Sequence, residues 1–86
     1  MKKVTMFIMA SCPYCRQAQA WMDEAVREHP EFGQVEVEMI DENLRPDVAN
    51  AHDYYYVPTF YLEGKKVHEG AATKAIVEGV YRAALE

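Results

Sequence analysis

Two cysteines occur in this chain, Cys12 and Cys15, with Pro13 and Tyr14 between them. Thiols at this spacing can close a disulfide, exchange it with another, or supply half of a zinc site. The flanking residues favour exchange. Ahead of the pair runs Val4-Thr5-Met6-Phe7-Ile8-Met9, with the length and content of a buried strand. Behind it, Ala18, Trp21, Met22, Ala25 and Val26 recur at helical spacing. The sulfurs therefore stand where a strand turns into a helix. Proline is favoured at the first helical position, which makes Pro13 that residue and Cys12 the N-cap. A sulfur there meets the unpaired N–H groups of the first turn and the positive end of the helix dipole. Both favour a thiolate, so the Cys12 pKa is expected below that of a free thiol. Cys15 falls on the same face of the first turn. Cys12 reads as the attacking thiol and Cys15 as the resolving one.

Three blander readings are weaker. A zinc site needs further ligands, and His29, His52 and His68 are too far apart in sequence to form a paired set. A purely structural disulfide closing so short a loop adds little stability. Lys2-Lys3 followed by the apolar run, ending at Met9-Ala10-Ser11-Cys12, faintly resembles an export leader. That run is at the short limit for one, and cleavage would remove a core strand.

The elements that must position the sulfurs fit one domain, residues 1–86. Half the residues are apolar, and with only four glycines and four prolines the chain reads as ordered and globular. No apolar run approaches the length of a membrane span. A net charge of −5 argues against nucleic acid or an anionic membrane as partner. Redox-spaced cysteines without a convincing leader point to the cytoplasm.

In chain order, strand Val4–Met9 leads to a helix from Pro13 to about Arg27, ended by Pro30. Its polar side carries Arg16, whose charge stands beside the sulfurs. Residues Gln34 to Ile40 alternate, with Val35, Val37 and Met39 on the inner face and Glu36 and Glu38 outside. Pro46 opens a short helix reaching about His52. Tyr54-Tyr55-Tyr56 reads as a loop packed over a core edge, and less readily as a ligand platform. Val57-Pro58-Thr59 enters strand Phe60-Tyr61-Leu62, which a glycine turn at 63–65 pairs with Lys66–Glu69. Thr73 is a plausible N-cap for a last helix, Lys74 to about Leu85, burying Ile76, Val77, Val80, Tyr81 and Ala84. The order β-α-β-α-β-β-α predicts an α/β fold: a four-stranded mixed sheet with helices on both faces.

Cys12-Pro13-Tyr14-Cys15 resembles the dithiol motif of glutaredoxins, and Val57-Pro58-Thr59 is similar to the cis-proline segment of the thioredoxin superfamily. The resemblance covers nearly the whole chain. It implies a thiol-disulfide oxidoreductase of thioredoxin/glutaredoxin fold, with Cys12 as nucleophile, Cys15 as resolving cysteine, and Pro13 and Tyr14 supporting the motif. Pro58 would be cis, and Val57, Pro58, Thr59 and Arg16 would meet substrate or glutathione. No bound cofactor or metal is implied. Expected partners are protein disulfides with glutathione or a thioredoxin reductase as reductant, and the protein is expected to be a monomer. Some relatives of this build instead carry an iron–sulfur cluster between two subunits. The pattern departs at three positions. Met9 stands where many glutaredoxins have a lysine, and no acid follows Gly70 to hold the glutathione amine, with Arg16 or Lys74 as partial substitutes. Met6 stands where thioredoxin has a buried acid.

Overall fold

A computed structural model describes residues 1–86. Its elements are β1 (Val4–Ile8), α1 (Pro13–Glu28), β2 (Val37–Asp41), α2 (Pro46–Asn50), β3 (Thr59–Leu62), β4 (Lys65–Glu69) and α3 (Lys74–Leu85). The four strands form one mixed sheet in the order β2-β1-β3-β4. β1 and β2 run parallel, with Phe7 opposite Ile40, while β3 runs antiparallel to both β1 and β4. This is the architecture expected from the sequence. Because β1 and β2 run parallel, the 9–12 turn and the residues after Asp41 lie at the same, C-terminal end of the pair.

The two faces of the sheet are covered unequally. On one face α1 and α3 bury Val4, Met6 and Phe60 together with Ala18, Met22, Ala25, Val77, Val80, Tyr81 and Ala84. On the other face α2 and the loop after it cover a smaller cluster of Phe7, Ile40, Ala49 and Tyr61, with Tyr54 and Val57 against it. Alternation along β1 assigns Met6 to the first cluster and Phe7 to the second. Both are wholly inaccessible to solvent. Burying a side chain of this size stabilises the fold by about 1.5–3 kcal/mol relative to leaving it exposed.

The expected strand 34–40 is displaced. Pro30–Gln34 winds into a 3-10 turn that sinks Phe32 into the larger cluster, where its ring stacks 5.0 Å from Tyr81. β2 then starts at Val37. Being an edge strand it is only half covered: Met39, expected inside, is 47% exposed, whereas Ile40 on the other face is buried. The alternating pattern gave the face but could not tell that the helices stop short of the sheet edge.

Remaining local structure follows its sequence signals. Thr73 caps α3, its hydroxyl accepting the Ile76 N–H at 3.2 Å. Glu63 and Gly64 both adopt positive φ, 50° and 81°, as a two-residue turn between β3 and β4 requires. No helix is long and apolar enough to cross a membrane.

Candidate active site

β1 delivers the chain to the cysteines, and the turn after it is fixed by the Cys12 N–H donating to the Met9 carbonyl at 3.1 Å. Cys12 is extended, with φ −85° and ψ 116°, and its carbonyl accepts the N–H groups of Cys15 and Arg16, both at 3.2 Å. Pro13 opens α1 immediately after it, as its fixed φ and missing donor favour. Cys12 is the N-cap by backbone geometry, yet its side chain makes no capping hydrogen bond. The thiol points across the site instead, towards the carbonyl of Val57 at 3.8 Å.

Both cysteines are free thiols and differ in access: Cys12 is half-buried, and Cys15 is 1% exposed. Their acidities diverge accordingly. Partial burial pushes the Cys12 thiol up. The neighbouring Cys15 side chain, the N–H groups of Cys15 and Tyr14 and the Arg16 charge outweigh it, so the Cys12 pKa is lowered. Burial pushes Cys15 up to about 12, helped by the neighbouring Cys12 and the charge of Glu42 and opposed by the Met9 backbone. The accessible sulfur is thus more acidic than an ordinary thiol, and the inaccessible one keeps its proton. None of the histidines turns towards this pair. His29 faces Glu78 at 3.8 Å, while His52 and His68 bond the carbonyls of Val48 and Ala71.

The opposite wall is the segment before β3. The Val57–Pro58 peptide bond is cis, and Pro58 is buried. Thr59 is fully buried, so its side chain does not reach the surface as the resemblance implied; its hydroxyl braces the loop by donating to the Tyr56 carbonyl. The Gly70 N–H donates to the Pro58 carbonyl at 2.8 Å, and Gly70 holds φ 94°. Arg16 is exposed on the first turn and acts on Cys12 through its charge. Lys74 does not belong to the site. It pairs with Glu24 and Glu28 at 3.2 and 2.7 Å, beyond two turns along α1 from Cys15.

The tyrosine run divides. Tyr54 packs as core, its ring stacked 4.9 Å from Phe7 and its hydroxyl donating to Glu42 at 2.9 Å. Burial, then that carboxylate, hold the Tyr54 phenol well above its usual range. Tyr55 and Tyr56 stand out from the surface at 88% and 71% exposure, and Tyr14 beside the sulfurs is 61% exposed. Glu42, whose charge bears on Cys15, is the residue that sequence reasoning missed; nothing in its spacing relates it to cysteines so far away in the chain. The largest cleft, about 450 Å³, lies between Glu42, Ala49, His52 and Tyr55. Neither cysteine lines it, nor either of the two smaller clefts. Cys12, half-buried, lies outside all three clefts.

Comparison with known proteins agrees with this geometry. The thioredoxin domain, as a family, matches residues 2–81. A thioredoxin of Methanocaldococcus jannaschii is 34% identical over 79 residues, spanning 91% of each chain. Among solved structures, thioredoxin from Fasciola hepatica is similar at 26% identity and a TM-score of 0.70, covering 94% of this chain and 79% of its own. The oxidised thioredoxin of Plasmodium falciparum shares the fold at 14% identity, with a TM-score of 0.73 over 95% of this chain and 79% of that one.

Proposed function

We propose that this chain, which belongs to the thioredoxin family, is a dithiol reductant of protein disulfides used in the manner of a thioredoxin, despite a Cys12-Pro13-Tyr14-Cys15 motif like that of glutaredoxins. The observation that carries the reading is the opposed placement of the two sulfurs: a solvent-accessible Cys12, its pKa lowered, over a buried Cys15, its pKa raised.

The chemistry follows from that pair. The Cys12 thiolate attacks one sulfur of a substrate disulfide, forming the Cys12–substrate bond and releasing the other sulfur as a thiolate, which takes a proton from water. Cys12 is then neutral, and its charge no longer opposes ionisation of Cys15. Cys15 loses its proton and attacks Cys12, the second substrate sulfur leaves and is protonated, and the Cys12–Cys15 disulfide remains. The substrate has gained two electrons and two protons. Restoring the dithiol needs an external reductant.

Protein substrates suit an open, aromatic-edged surface better than a small molecule does, since small ligands favour enclosing clefts. Glutathione would have to bind without a lysine at Met9 or an acid after Gly70. Arg16 is the one candidate cation beside the sulfurs. A flavin-linked thioredoxin reductase is therefore the proposed electron source, with glutathione a slow alternative.

The test is NADPH consumption by the oxidised protein in two coupled systems, thioredoxin reductase and glutathione with glutathione reductase. Faster turnover with the first is expected. Turnover with glutathione at the rate of an ordinary glutaredoxin would reverse the assignment.

A further inference from the structure

The exposed pair Tyr55-Tyr56 is held from below by one carboxylate. Glu69, the last residue of β4, accepts the backbone N–H groups of Tyr55 and Tyr56 on the same oxygen, at 2.6 and 2.9 Å. Its other oxygen accepts the Lys66 ammonium at 2.7 Å, and that ammonium also reaches the Asp53 carbonyl at 3.2 Å. The Tyr61 hydroxyl takes the same carbonyl at 2.8 Å. A loop that would otherwise carry free N–H groups is thus tied to β3 and β4 through side chains alone.

What the clamp holds is unusual. Two large aromatic rings are left in water although the fold has a cluster beside them that accepts Tyr54. Exposed, rigidly mounted tyrosines are the residues that anchor protein interfaces at small entropic cost. They precede, by one and two residues, the Val57 carbonyl that faces Cys12. We infer that Glu69 is a positioning residue for protein substrates: it fixes the Tyr55-Tyr56 backbone so that both rings contact the polypeptide around the disulfide brought to Cys12. The inference rests on the redox reading given above. It separates Glu69 from the sulfur chemistry, because Glu69 touches the loop and neither cysteine.

Rates with two disulfides test it. Fully reduced protein is mixed in stopped flow either with insulin, whose disulfides are embedded in polypeptide, or with dithiobisnitrobenzoate, which offers the sulfur but no chain. Glu69→Ala is expected to lower the second-order rate constant with insulin about tenfold, equivalent to about 1.4 kcal/mol, and to change that with the small disulfide by less than about twofold. Glu69→Gln retains an acceptor for the two N–H groups and should recover most of the insulin rate. A Tyr55→Ala, Tyr56→Ala double variant, with the clamp intact, should show the same selective loss and stands in if Glu69→Ala fails to fold. An equal fall with both disulfides, or an unchanged insulin rate, overturns the inference. Wild-type protein that reduces neither disulfide would defeat the redox reading itself, an outcome distinct from failure of the clamp.

Discussion

Cys12 Sγ lies 3.8 Å from the carbonyl oxygen of Val57, across a site whose two walls are 45 residues apart in the chain. The contact is that of a thiol donor and a carbonyl acceptor. Once the proton leaves, the same carbonyl repels the sulfur, while the N–H groups of Tyr14 and Cys15 attract it. Ionisation should therefore turn the sulfur away from Val57 towards the helix N-terminus and free the Val57 backbone for an incoming chain.

The alkylation rate of the reduced protein is expected to rise through a Cys12 pKa below the ordinary 9.0 and reach a plateau, with Cys15 silent until about pH 12. The neighbouring Cys15 side chain does most to lower Cys12. Cys15→Ala should accordingly move the Cys12 inflection upward. An unchanged inflection would leave the helix terminus and Arg16 as the whole cause.

Roles of the two sulfurs separate in mixed-disulfide trapping. Cys12→Ser should abolish exchange altogether. Cys15→Ser should still attack substrate but stall as a covalent Cys12–substrate adduct, visible by non-reducing electrophoresis and mass. Trapping by the Cys12→Ser protein and none by Cys15→Ser would reverse the assignment.

The clamp has its own acid limit. Hydrogen bonding from Lys66, then from the Tyr55 and Tyr56 N–H groups, holds the Glu69 carboxyl at about 2, against an ordinary 4.5. A carboxylate depressed in the folded state stabilises it above its unfolded pKa, and that contribution is lost as pH falls through the folded one. The amide resonances of Tyr55 and Tyr56 should therefore hold steady down to about pH 3 and shift together near pH 2. Movement centred near 4.5 would mean that the carboxylate is not so engaged.

Phe7 joins the smaller cluster to the site's outer wall, with His52, Tyr54 and Tyr61 rings 4.7, 4.9 and 5.8 Å from its own. Phe7→Ala should cost about 3–5 kcal/mol in urea unfolding, as large cavities in well-packed cores do. Loss of Tyr54 packing should also loosen the loop that follows it. A cost under about 1 kcal/mol would show that the cluster collapses around the gap.

Thr73→Ala provides a contrast at a helix cap distant from the sulfurs. Losing the Ile76 N–H acceptor should lower stability by about 0.5–2 kcal/mol and leave disulfide exchange unchanged. A matching fall in exchange rate would tie α3 to the site.

The sequence by itself determined the local half of this protein. The cysteine spacing, Pro13 and the strand-to-helix change of pattern specify where the sulfurs sit on their element, because proline and the helix N-terminus act within a single turn. Periodicity likewise placed α1 and α3, the Thr73 cap and the glycine turn between β3 and β4, and with them the element order from which the sheet followed. Tertiary structure decided what no local signal carries. Only pairing of β1 with β3 brings Val57 opposite Cys12, and only the depth at which α1 packs makes Cys15 inaccessible while Cys12 stays half open. Burial of Met39, Phe32 or Tyr54 depends on how far the covering elements reach, which alternation cannot report. Lys74 looked available to the sulfurs until the α1–α3 packing paired it with Glu24 and Glu28. Glu69 is the plainest case: a strand-ending acid in the sequence, it becomes the anchor of Tyr55 and Tyr56 because hydrogen bonds between side chain and backbone are made across space, at distances the chain's own order does not record.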